Sequence, residues 1–395
     1  MPTDRKLFDI AHVYYTIMPH VFRYRLKPTK SQVAILNRQL DLCRWIYNET
    51  LALRKNAWED EQKHIGYYES KRYIAIWKQD KPELKEVHSH VLQDVSMRVD
   101  LALQAFFRRV RNGEEPGFPR FKGRGRYDSL TYFETGFKLK RSVLWLSKIG
   151  DIKVWLHRPI EGTMKRLTIR RSATNKWYVS FLCEDVPKYA ISDSEKAVGI
   201  DVGISNFAVL SDGVFIENQR YLAACEDKLA IAQSKKDKLP HRSPERKKAA
   251  KIVSHIYERL GNLRDNFAHQ LSHKIVNDYG IICLENIDIK DLIEKKPYMA
   301  KAVLDASWNR FRTYVTYKAA SAGRKVVLVN PAYTSQMCSG CGSIVKKDLS
   351  ERVHNCPRCG LVMDRDLNAS KNILRLGLQS LVGIQPRCPR IHSGE

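Results

Sequence analysis

The sequence predicts a multidomain α/β protein that carries a small metal-binding module near its carboxyl end. Three observations predict this class. Helical periodicity extends over residues 29–113, strand-like runs separated by turns follow over residues 114–192, and strands alternate with helices over residues 193–375. Two Cys-x-x-Cys pairs lie within residues 332–363. At 395 residues the chain is long enough for two or three domains with their own hydrophobic cores.

The charge balance favours a polyanionic partner. Lysine and arginine total 68 and aspartate and glutamate total 43, which gives a net charge of +25 and a pI near 9.7. Because each phosphate neutralised by a cation releases counterions, such an excess is typical of proteins that bind nucleic acid. A membrane role is not favoured, since neither a long apolar span nor a lipidation signal is evident. The cysteines outside the two pairs are scattered, as in a reducing compartment, so we expect a cytoplasmic, nucleoid-associated protein.

The amino-terminal part combines one strand with a helical region. Residues 21–26 (VFRYRL) alternate apolar and basic side chains, which predicts a strand with one cationic face. Thr29 followed by Gln32 is a capping-box signature, and the apolar residues that recur at helical spacing after it predict helices over residues 29–113. We therefore assign residues 1–28 to an arm that includes a first barrel strand, and the helical region to an insertion after it.

A segment rich in proline and glycine separates the helices from the later strands. Residues 116–126 read PGFPRFKGRGR, in which basic side chains alternate with Phe118 and Phe121. Cations interleaved with aromatic rings suit a phosphate backbone whose bases can stack, so we predict a nucleic-acid contact; a merely solvated basic loop is the alternative. The basic residues are Arg120, Lys122, Arg124 and Arg126.

Six strand-like runs follow, and their spacing predicts a small antiparallel barrel over residues 114–192. They read SLTYF, FKLK, VLWL, IKVWL, RLTIRR and WYVSFLCE. Residues 21–26 are expected to supply a further strand, which makes the helical region an insertion into the barrel.

The remaining chain has the layout of an RNase H-like α/β domain, which we assign to residues 193–375. VGIDVGISNFAVLSDGVFIE predicts a strand hairpin whose turn is Asp212-Gly213. Apolar runs at residues 281–284 and in RKVVLVNP predict two more strands, each preceded by a helix, and a last helix follows the cysteines. The basic text KKDKLPHRSPERKKAAK favours a nucleic-acid contact over a merely solvated helix face.

The two cysteine pairs predict a structural zinc site, inserted before the last helix over residues 332–363. CSGCG and CPRCG each place two sulfurs on a tight turn, and four thiolates complete a tetrahedral site with no open position. Gly340, Gly342 and Gly360 are expected to turn the backbone with positive φ. Residues 376–395 are expected to form a flexible tail. The predicted zinc ligands are Cys338, Cys341, Cys356 and Cys359.

Three separated carboxylates are the candidate catalytic residues. Asp201 lies within an apolar strand, Glu285 at the carboxyl end of another, and Asp366 at the start of the last helix. Each acid also has a structural alternative. Asp201 could be a buried strand residue with a partner, and Glu285 could point to solvent at its strand end. Asp366 could be a helix N-cap, a role for which Asp364 is equally placed. Together the three acids would repel one another unless two Mg²⁺ ions neutralised them, which predicts metal-dependent hydrolysis of a phosphodiester.

These motifs together resemble the TnpB family of transposon-encoded RNA-guided nucleases, which is related to the type V CRISPR effectors. The resemblance extends from residue 21 to residue 376 and depends on the order of the motifs more than on any one of them. The similar segments are VGIDVGISNFAVLSDG, IICLENIDI, CSGCG with CPRCG, DRDLNASKNIL, GFPRFKGR, CRWIYNETLALR and YTSQMCSGCG.

The resemblance implies a wedge-like barrel, a helical recognition region and a RuvC-like nuclease domain with an inserted zinc ribbon. It implies Asp201, Glu285 and Asp366 as a triad that binds two Mg²⁺, because the family motif places its last ligand just before x-Asn-Ala. It also implies a guide RNA, a double-stranded DNA target beside a short adjacent motif, and one monomer per RNA. The residues expected to read the adjacent motif are Tyr67, Tyr68 and Gln93.

Other classes of function stay open at this point. Some relatives have lost the acids and act as guided repressors, and an unguided nuclease of the resolvase or RNase H type would cut without RNA. All three acids are present here, which favours cleavage, and the large basic region outside the nuclease domain disfavours the unguided enzyme. A transposase that joins strands shares the fold and would be distinguished by its products.

Overall fold

The computed structural model describes residues 20–187, 194–348 and 351–382. These residues form two compact units, divided between Pro187 and Lys188. The predicted arm before residue 20 and the predicted tail beyond residue 382 lie outside the described residues. Within the described ranges, no helix is both long and apolar enough to cross a membrane.

The first unit contains a seven-stranded antiparallel sheet, in which all of the predicted strand-like runs form strands. The strands lie in the order β2-β6-β7-β1-β5-β4-β3, where the two edge strands are joined by only three residues, Glu134–Gly136. Because of this short connection the sheet nearly closes on itself. The seven strands are β1 (His20–Lys27), β2 (Ser129–Phe133), β3 (Phe137–Lys140), β4 (Val143–Leu146), β5 (Gly150–Trp155), β6 (Thr163–Arg171) and β7 (Trp177–Glu184).

Strand β1 alternates as its sequence predicts. Phe22 and Tyr24 are buried in the core, whereas Arg23 and Arg25 lie on the opposite face, where both guanidinium groups contact the ring of Tyr178. β1 pairs with β7 on one side and with β5 on the other, so it lies in the middle of the sheet. The strand that precedes the helices is thus central to a sheet formed by residues that follow them.

Three helices lie between β1 and β2 in the chain. The capping box at their start is confirmed, because Gln32 N donates to Thr29 Oγ1 at 3.3 Å and Thr29 N donates to Gln32 Oε1 at 3.0 Å. A buried ion pair of 2.6 Å joins Arg54 on the first helix to Asp100 on the third. The helices share one hydrophobic core with the sheet. They are α1 (Lys30–Glu61), α2 (Tyr67–Asp80) and α3 (Ser89–Arg111).

The second unit is built on a five-stranded mixed sheet with the order β10-β9-β8-β11-β12. The pairs of β10 with β9 and of β9 with β8 are antiparallel, whereas β8, β11 and β12 run parallel. The predicted hairpin and the two predicted later strands are therefore confirmed. These strands are β8 (Ala197–Val202), β9 (Asn206–Leu210), β10 (Phe215–Glu217), β11 (Ile281–Glu285) and β12 (Lys325–Val329).

Helices connect these strands, and the last one follows a small two-stranded sheet. The basic segment at residues 235–251 is divided between two helices, because α4 ends at Asp237 and α5 begins at Pro244. Ser243 caps the second helix, since its side chain accepts a hydrogen bond from Arg246 N at 3.0 Å. The helices are α4 (Glu226–Asp237), α5 (Pro244–Asp278), α6 (Ile289–Lys295), α7 (Ala300–Ala306), α8 (Trp308–Ser321) and α9 (Arg365–Leu381), and the small sheet pairs β13 (Val353–Asn355) with β14 (Val362–Asp364).

Helix α9 packs on the sheet at backbone distance, and two glycines allow it. A Cβ atom at Gly199 on β8 would lie 2.1 Å from Ser370 O, and a Cβ atom at Gly377 on α9 would lie 2.3 Å from Cys283 Sγ. No other residue type fits either position without displacing the helix. Helix α9 continues to Leu381, so the first residues of the predicted tail are helical instead.

We expect Gly199→Ala to lower the free energy of unfolding by about 1–3 kcal/mol, because the added methyl group forces α9 away from β8. Urea denaturation followed by circular dichroism measures the change. Gly261→Ala in α5 is the matched control: nothing lies within 4 Å of that position, and alanine favours a helix more than glycine does. Equal stability of the two variants would contradict the close contact.

Candidate active site and metal centre

Two of the predicted acids lie side by side at the carboxyl ends of parallel strands. β8 and β11 pair with Ile200 opposite Leu284, and Asp201 and Glu285 are the next residues along each strand. Side chains at matching positions of paired strands point to the same face of the sheet. The two carboxylates therefore face the same space, at the edge where parallel α/β sheets carry functional groups.

The third acid comes from the first turn of α9. Asp364 is the N-cap of this helix, since its Oδ1 accepts from Asp366 N at 2.8 Å and from Leu367 N at 3.0 Å. Asp366 has no capping role, and its Oδ1 accepts from Arg365 Nε at 3.1 Å. The structure thus gives the two aspartates different contacts, but both add negative charge around Asp201, so the choice of Asp366 as the ligand stays a prediction.

Glu285 and Asp366 are close enough to Asp201 to perturb its ionisation. Burial raises the pKa of Asp201 well above its usual range, and the negative charges of Glu285 and Asp366 raise it further, whereas the positive charge of Arg365 opposes the rise. Burial also raises the pKa of Glu285, and the hydrogen bond from Thr334 opposes that rise. Carboxylates held together against their own repulsion favour the binding of a cation.

The three carboxylates are less tightly grouped than the ligands of a site for one ion. Among the residues that the structure describes, only the four paired cysteines form a cluster of three or more potential ligands within 4.8 Å of one another. Oxygen donors are the preferred ligands of Mg²⁺. The chemical type of the donors therefore fits Mg²⁺, whereas the number of ions stays a prediction.

The four paired cysteines form a compact sulfur cluster. Cys338 Sγ and Cys359 Sγ are 3.6 Å apart, and Cys341 Sγ and Cys356 Sγ are also 3.6 Å apart. Sulfur atoms at the corners of a tetrahedron around zinc, with bonds of about 2.3 Å, are separated by about 3.8 Å. The cluster could therefore hold a metal ion such as zinc.

Both cysteine pairs adopt the same turn. Gly342 N donates to Cys338 O, and Gly360 N donates to Cys356 O, each at 2.9 Å. Gly342 and Gly360 have φ of +78° and +72°, as expected, but Gly340 does not have a positive φ. A Cβ atom at Gly340 would instead lie 3.3 Å from Leu361 Cδ2, so this glycine relieves crowding beside the cluster.

Two asparagines on α9 hold the first cysteine turn against the helix. Asn368 Nδ2 donates to Met337 O at 2.7 Å, and Ser339 N donates to Asn368 Oδ1 at 2.8 Å. Asn372 Nδ2 donates to Met337 O at 2.6 Å and to Thr334 O at 2.9 Å. Both asparagine side chains are fully buried, so these bonds satisfy groups that water cannot reach.

Sequence reasoning missed four polar residues around the acids and the cysteines. Asn368 and Asn372 could have been found, because they lie four positions apart and therefore on one face of the last helix. Arg365 lies between the two aspartates in the sequence, which by itself gave it no role. Thr334 gave no local signal, since its contact with Glu285 joins residues 49 positions apart in the chain.

The basic residues predicted to contact nucleic acid lie on the loop between α3 and β2. Asn48 on α1 anchors this loop, since its Nδ2 donates to Lys122 O at 3.1 Å and its Oδ1 accepts from Lys122 N at 2.8 Å. Phe118 of the same loop packs edge-on against Phe106 at 5.3 Å between ring centroids, so this ring is partly engaged by the protein. The exposed basic side chains are Arg120, Arg124 and Arg126, whereas Lys122 is half-buried.

The residues predicted to read an adjacent DNA motif lie on two helices of the first unit. Tyr67 and Tyr68 begin α2 with their ring centroids 5.2 Å apart, and Tyr68 is 77% exposed. Gln93 is half-buried on α3. The contacts of these residues leave their role a prediction.

Three family models match separate parts of the chain. The model described as "Probable transposase" matches residues 180–296, and the model described as "Cas12f1-like, TNB domain" matches residues 308–373. The model described as "Helix-turn-helix domain" matches residues 18–63, although the described part of that range contains β1 and the single helix α1. The second match includes the cysteine cluster and Asp366.

Relatives match the chain over nearly its full length. A protein of Streptomyces pristinaespiralis named "Putative RNA-guided DNA endonuclease" is 33% identical over 377 residues, which cover 93% of this chain and 92% of the relative. "Putative RNA-guided DNA endonuclease InsQ" of Escherichia coli (strain K12) is 28% identical over 375 residues, which cover 90% of this chain and 92% of the relative. The solved mini RNA-guided endonuclease CRISPR-Cas_phi3 shares the fold, with a TM-score of 0.51, 9% identity and 94% of each chain covered. The chain belongs to the family of RNA-guided DNA endonucleases that includes the TnpB proteins.

Proposed function

We propose that this protein is an endonuclease that carries a transposon-derived guide RNA and cleaves matching double-stranded DNA beside a short adjacent motif. The observation that carries the proposal is the meeting of Asp201, Glu285 and Asp366 at one edge of the second sheet. The relatives that match the full chain are named RNA-guided DNA endonucleases, which supports this use of the acids.

The acids would act as ligands of two Mg²⁺ ions. When bound, these ions would supply an activated water and charge stabilisation for the leaving 3′ oxygen of a phosphodiester. The chain contributes Asp201 and Glu285 from neighbouring strands and Asp366 from the first turn of α9. Arg365 places a positive charge beside Asp366 and limits the repulsion among the acids. No serine, cysteine or histidine nucleophile is required by this chemistry.

The excess of basic residues supports the choice of RNA and DNA as partners. A net charge of +25 favours long phosphate backbones over small substrates. We assign backbone contacts to the exposed arginines of the loop between α3 and β2, and readout of the adjacent motif to Tyr67, Tyr68 and Gln93. One protein copy is expected for each guide RNA.

The proposed domain layout follows from the family and from the order of elements. Residues 193–375 would form the RuvC-like nuclease domain, whose sheet order β10-β9-β8-β11-β12 is that expected of an RNase H-like fold, with the zinc ribbon at residues 332–363. Residues 114–192 with β1 would form the wedge barrel. Residues 29–113 would form the recognition region. The division between Pro187 and Lys188 supports a boundary near residue 193.

We expect Asp201→Ala to abolish cleavage while guide-dependent DNA binding is retained, because it removes a metal ligand and leaves the basic surfaces intact. The cleavage rate should fall by at least about 100-fold, because removing a residue that only orients a metal ligand already costs up to about 100-fold. The assay uses the purified RNA complex, Mg²⁺ and a plasmid library with a matched target beside randomised flanks. If the wild type bound the target without cutting it, the protein would be a repressor. Cutting without a guide would indicate an unguided nuclease. Joined strands among the products would indicate a transposase in the strict sense.

Asp364 and Asp366 are expected to differ in the same assay. Asparagine caps a helix as well as aspartate does, so Asp364→Asn should keep cleavage near the wild-type rate. Asp366→Asn should abolish cleavage, because the amide is a neutral and poor ligand for Mg²⁺. Loss of activity in the first variant only would move the ligand role to Asp364.

We expect one zinc ion per chain at the cysteine cluster. Elemental analysis of the purified protein should find it, and Cys341→Ser should lower the zinc content and the thermal stability, because a three-sulfur site binds less tightly. Cys225→Ser is the matched control, since this cysteine lies outside the cluster. Full zinc occupancy in Cys341→Ser would contradict the assignment.

A further inference from the structure

A buried threonine contacts one of the candidate catalytic acids. Thr334 is 1% exposed, and its Oγ1 lies within hydrogen-bond distance of both Glu285 Oε1 and Pro331 O. A hydroxyl group has one proton to donate, and a carboxylate is the stronger of these two acceptors. The hydroxyl therefore donates to Glu285 Oε1.

The segment that carries Thr334 is fixed at both of its sides. Asn372 holds the carbonyl oxygen of Thr334 itself, and Asn368 and Asn372 together hold the carbonyl oxygen of Met337. Cys338 follows directly, and its sulfur belongs to the cysteine cluster. Residues 334–338 thus run from a contact with the acid to a ligand of the cluster, with two buried asparagines on α9 holding the chain between them.

We propose that Thr334 is a positioning residue for Glu285 and that the cysteine cluster keeps Thr334 in place. The cysteine cluster and the acid site are then joined by one continuous connection. Glutamate has a long side chain with several rotamers, so a fixed donor at Oε1 selects the orientation in which Oε2 can bind a cation. The inference rests on the proposed function, because it assumes that Glu285 is a ligand of Mg²⁺.

The arrangement differs for each acid, which explains why Thr334 is needed. Asp201 has a short side chain on a central strand, and Asp366 is held by Arg365 within the first turn of α9. Glu285 lies at the end of β11 and has a longer side chain. Removing the threonine hydroxyl should therefore weaken cation binding without changing the strands that carry the acids.

The test compares Thr334→Val, which keeps the shape and removes the donor, with Thr334→Ser, which keeps the donor. Both are purified as RNA complexes, and Thr316→Val on the surface of α8 controls for the same substitution elsewhere. Mn²⁺ titrations followed by electron paramagnetic resonance give binding at the acid site after subtraction of the Asp201→Ala complex. Zinc content, DNA binding and the Mg²⁺ concentration for half-maximal cleavage are measured in parallel.

We expect Thr334→Val to weaken Mn²⁺ binding and to raise the Mg²⁺ requirement by roughly 10–100-fold, the usual effect of removing a residue that orients a metal ligand. Zinc content and DNA binding should stay at wild-type values, and Thr334→Ser should restore metal binding. Unchanged Mn²⁺ affinity in Thr334→Val would overturn the proposal, as would equal loss of zinc or of DNA binding. If the wild type cleaved nothing, the proposed function would fail, whereas the Mn²⁺ comparison would still decide the role of Thr334.

The connection to the cysteine cluster is tested by a double-mutant cycle. Cys341→Ser should raise the Mg²⁺ requirement in the same direction as Thr334→Val, because both loosen the contact with Glu285. The double variant should require little more Mg²⁺ than Cys341→Ser alone, since the two changes act through one contact. If the increase in the Mg²⁺ requirement of the double variant equalled the product of the two single increases, the two changes would act independently. That result would overturn the connection.

Discussion

The second unit depends on the close contact between the backbone of α9 and the sheet on which it packs. Gly199 and Gly377 permit this approach, because a single methyl group at either position would collide with the opposing element. The contact fixes where the first turn of α9 lies. Asp366 is thereby brought next to Asp201, although the two residues are separated by 165 positions in the chain, and the rest of the site depends on that placement.

Three parts of the surface of helix α9 make three different sets of contacts. Its glycine-containing face lies on β8 and β11, its first turn carries Asp366, and its buried asparagines hold the cysteine turn. Each buried amide makes hydrogen bonds with backbone groups that would otherwise be unsatisfied, so the module cannot shift along the helix without a cost. This explains how the small module that carries the cysteine cluster keeps a fixed relation to the acids.

The charges of the protein are separated in a way that suits the proposed chemistry. The chain as a whole carries +25, yet its second unit gathers three carboxylates in one place, where burial and the charges of Glu285 and Asp366 raise the pKa of Asp201. Basic surfaces can attract a nucleic-acid backbone, whereas the acids repel it until cations are bound. Arg365 offsets part of this repulsion from within the protein.

The sequence by itself determined the strands of the two larger sheets and the identity of the candidate groups. Local patterns were sufficient for the alternation in β1, the capping box at Thr29 and the paired cysteines, because each depends on residues a few positions apart. The sequence left Asp364 and Asp366 as alternatives and gave no role to Thr334. Only the tertiary structure showed that Asp364 caps α9 and that Thr334 contacts Glu285, because these hydrogen bonds depend on how the segments pack together.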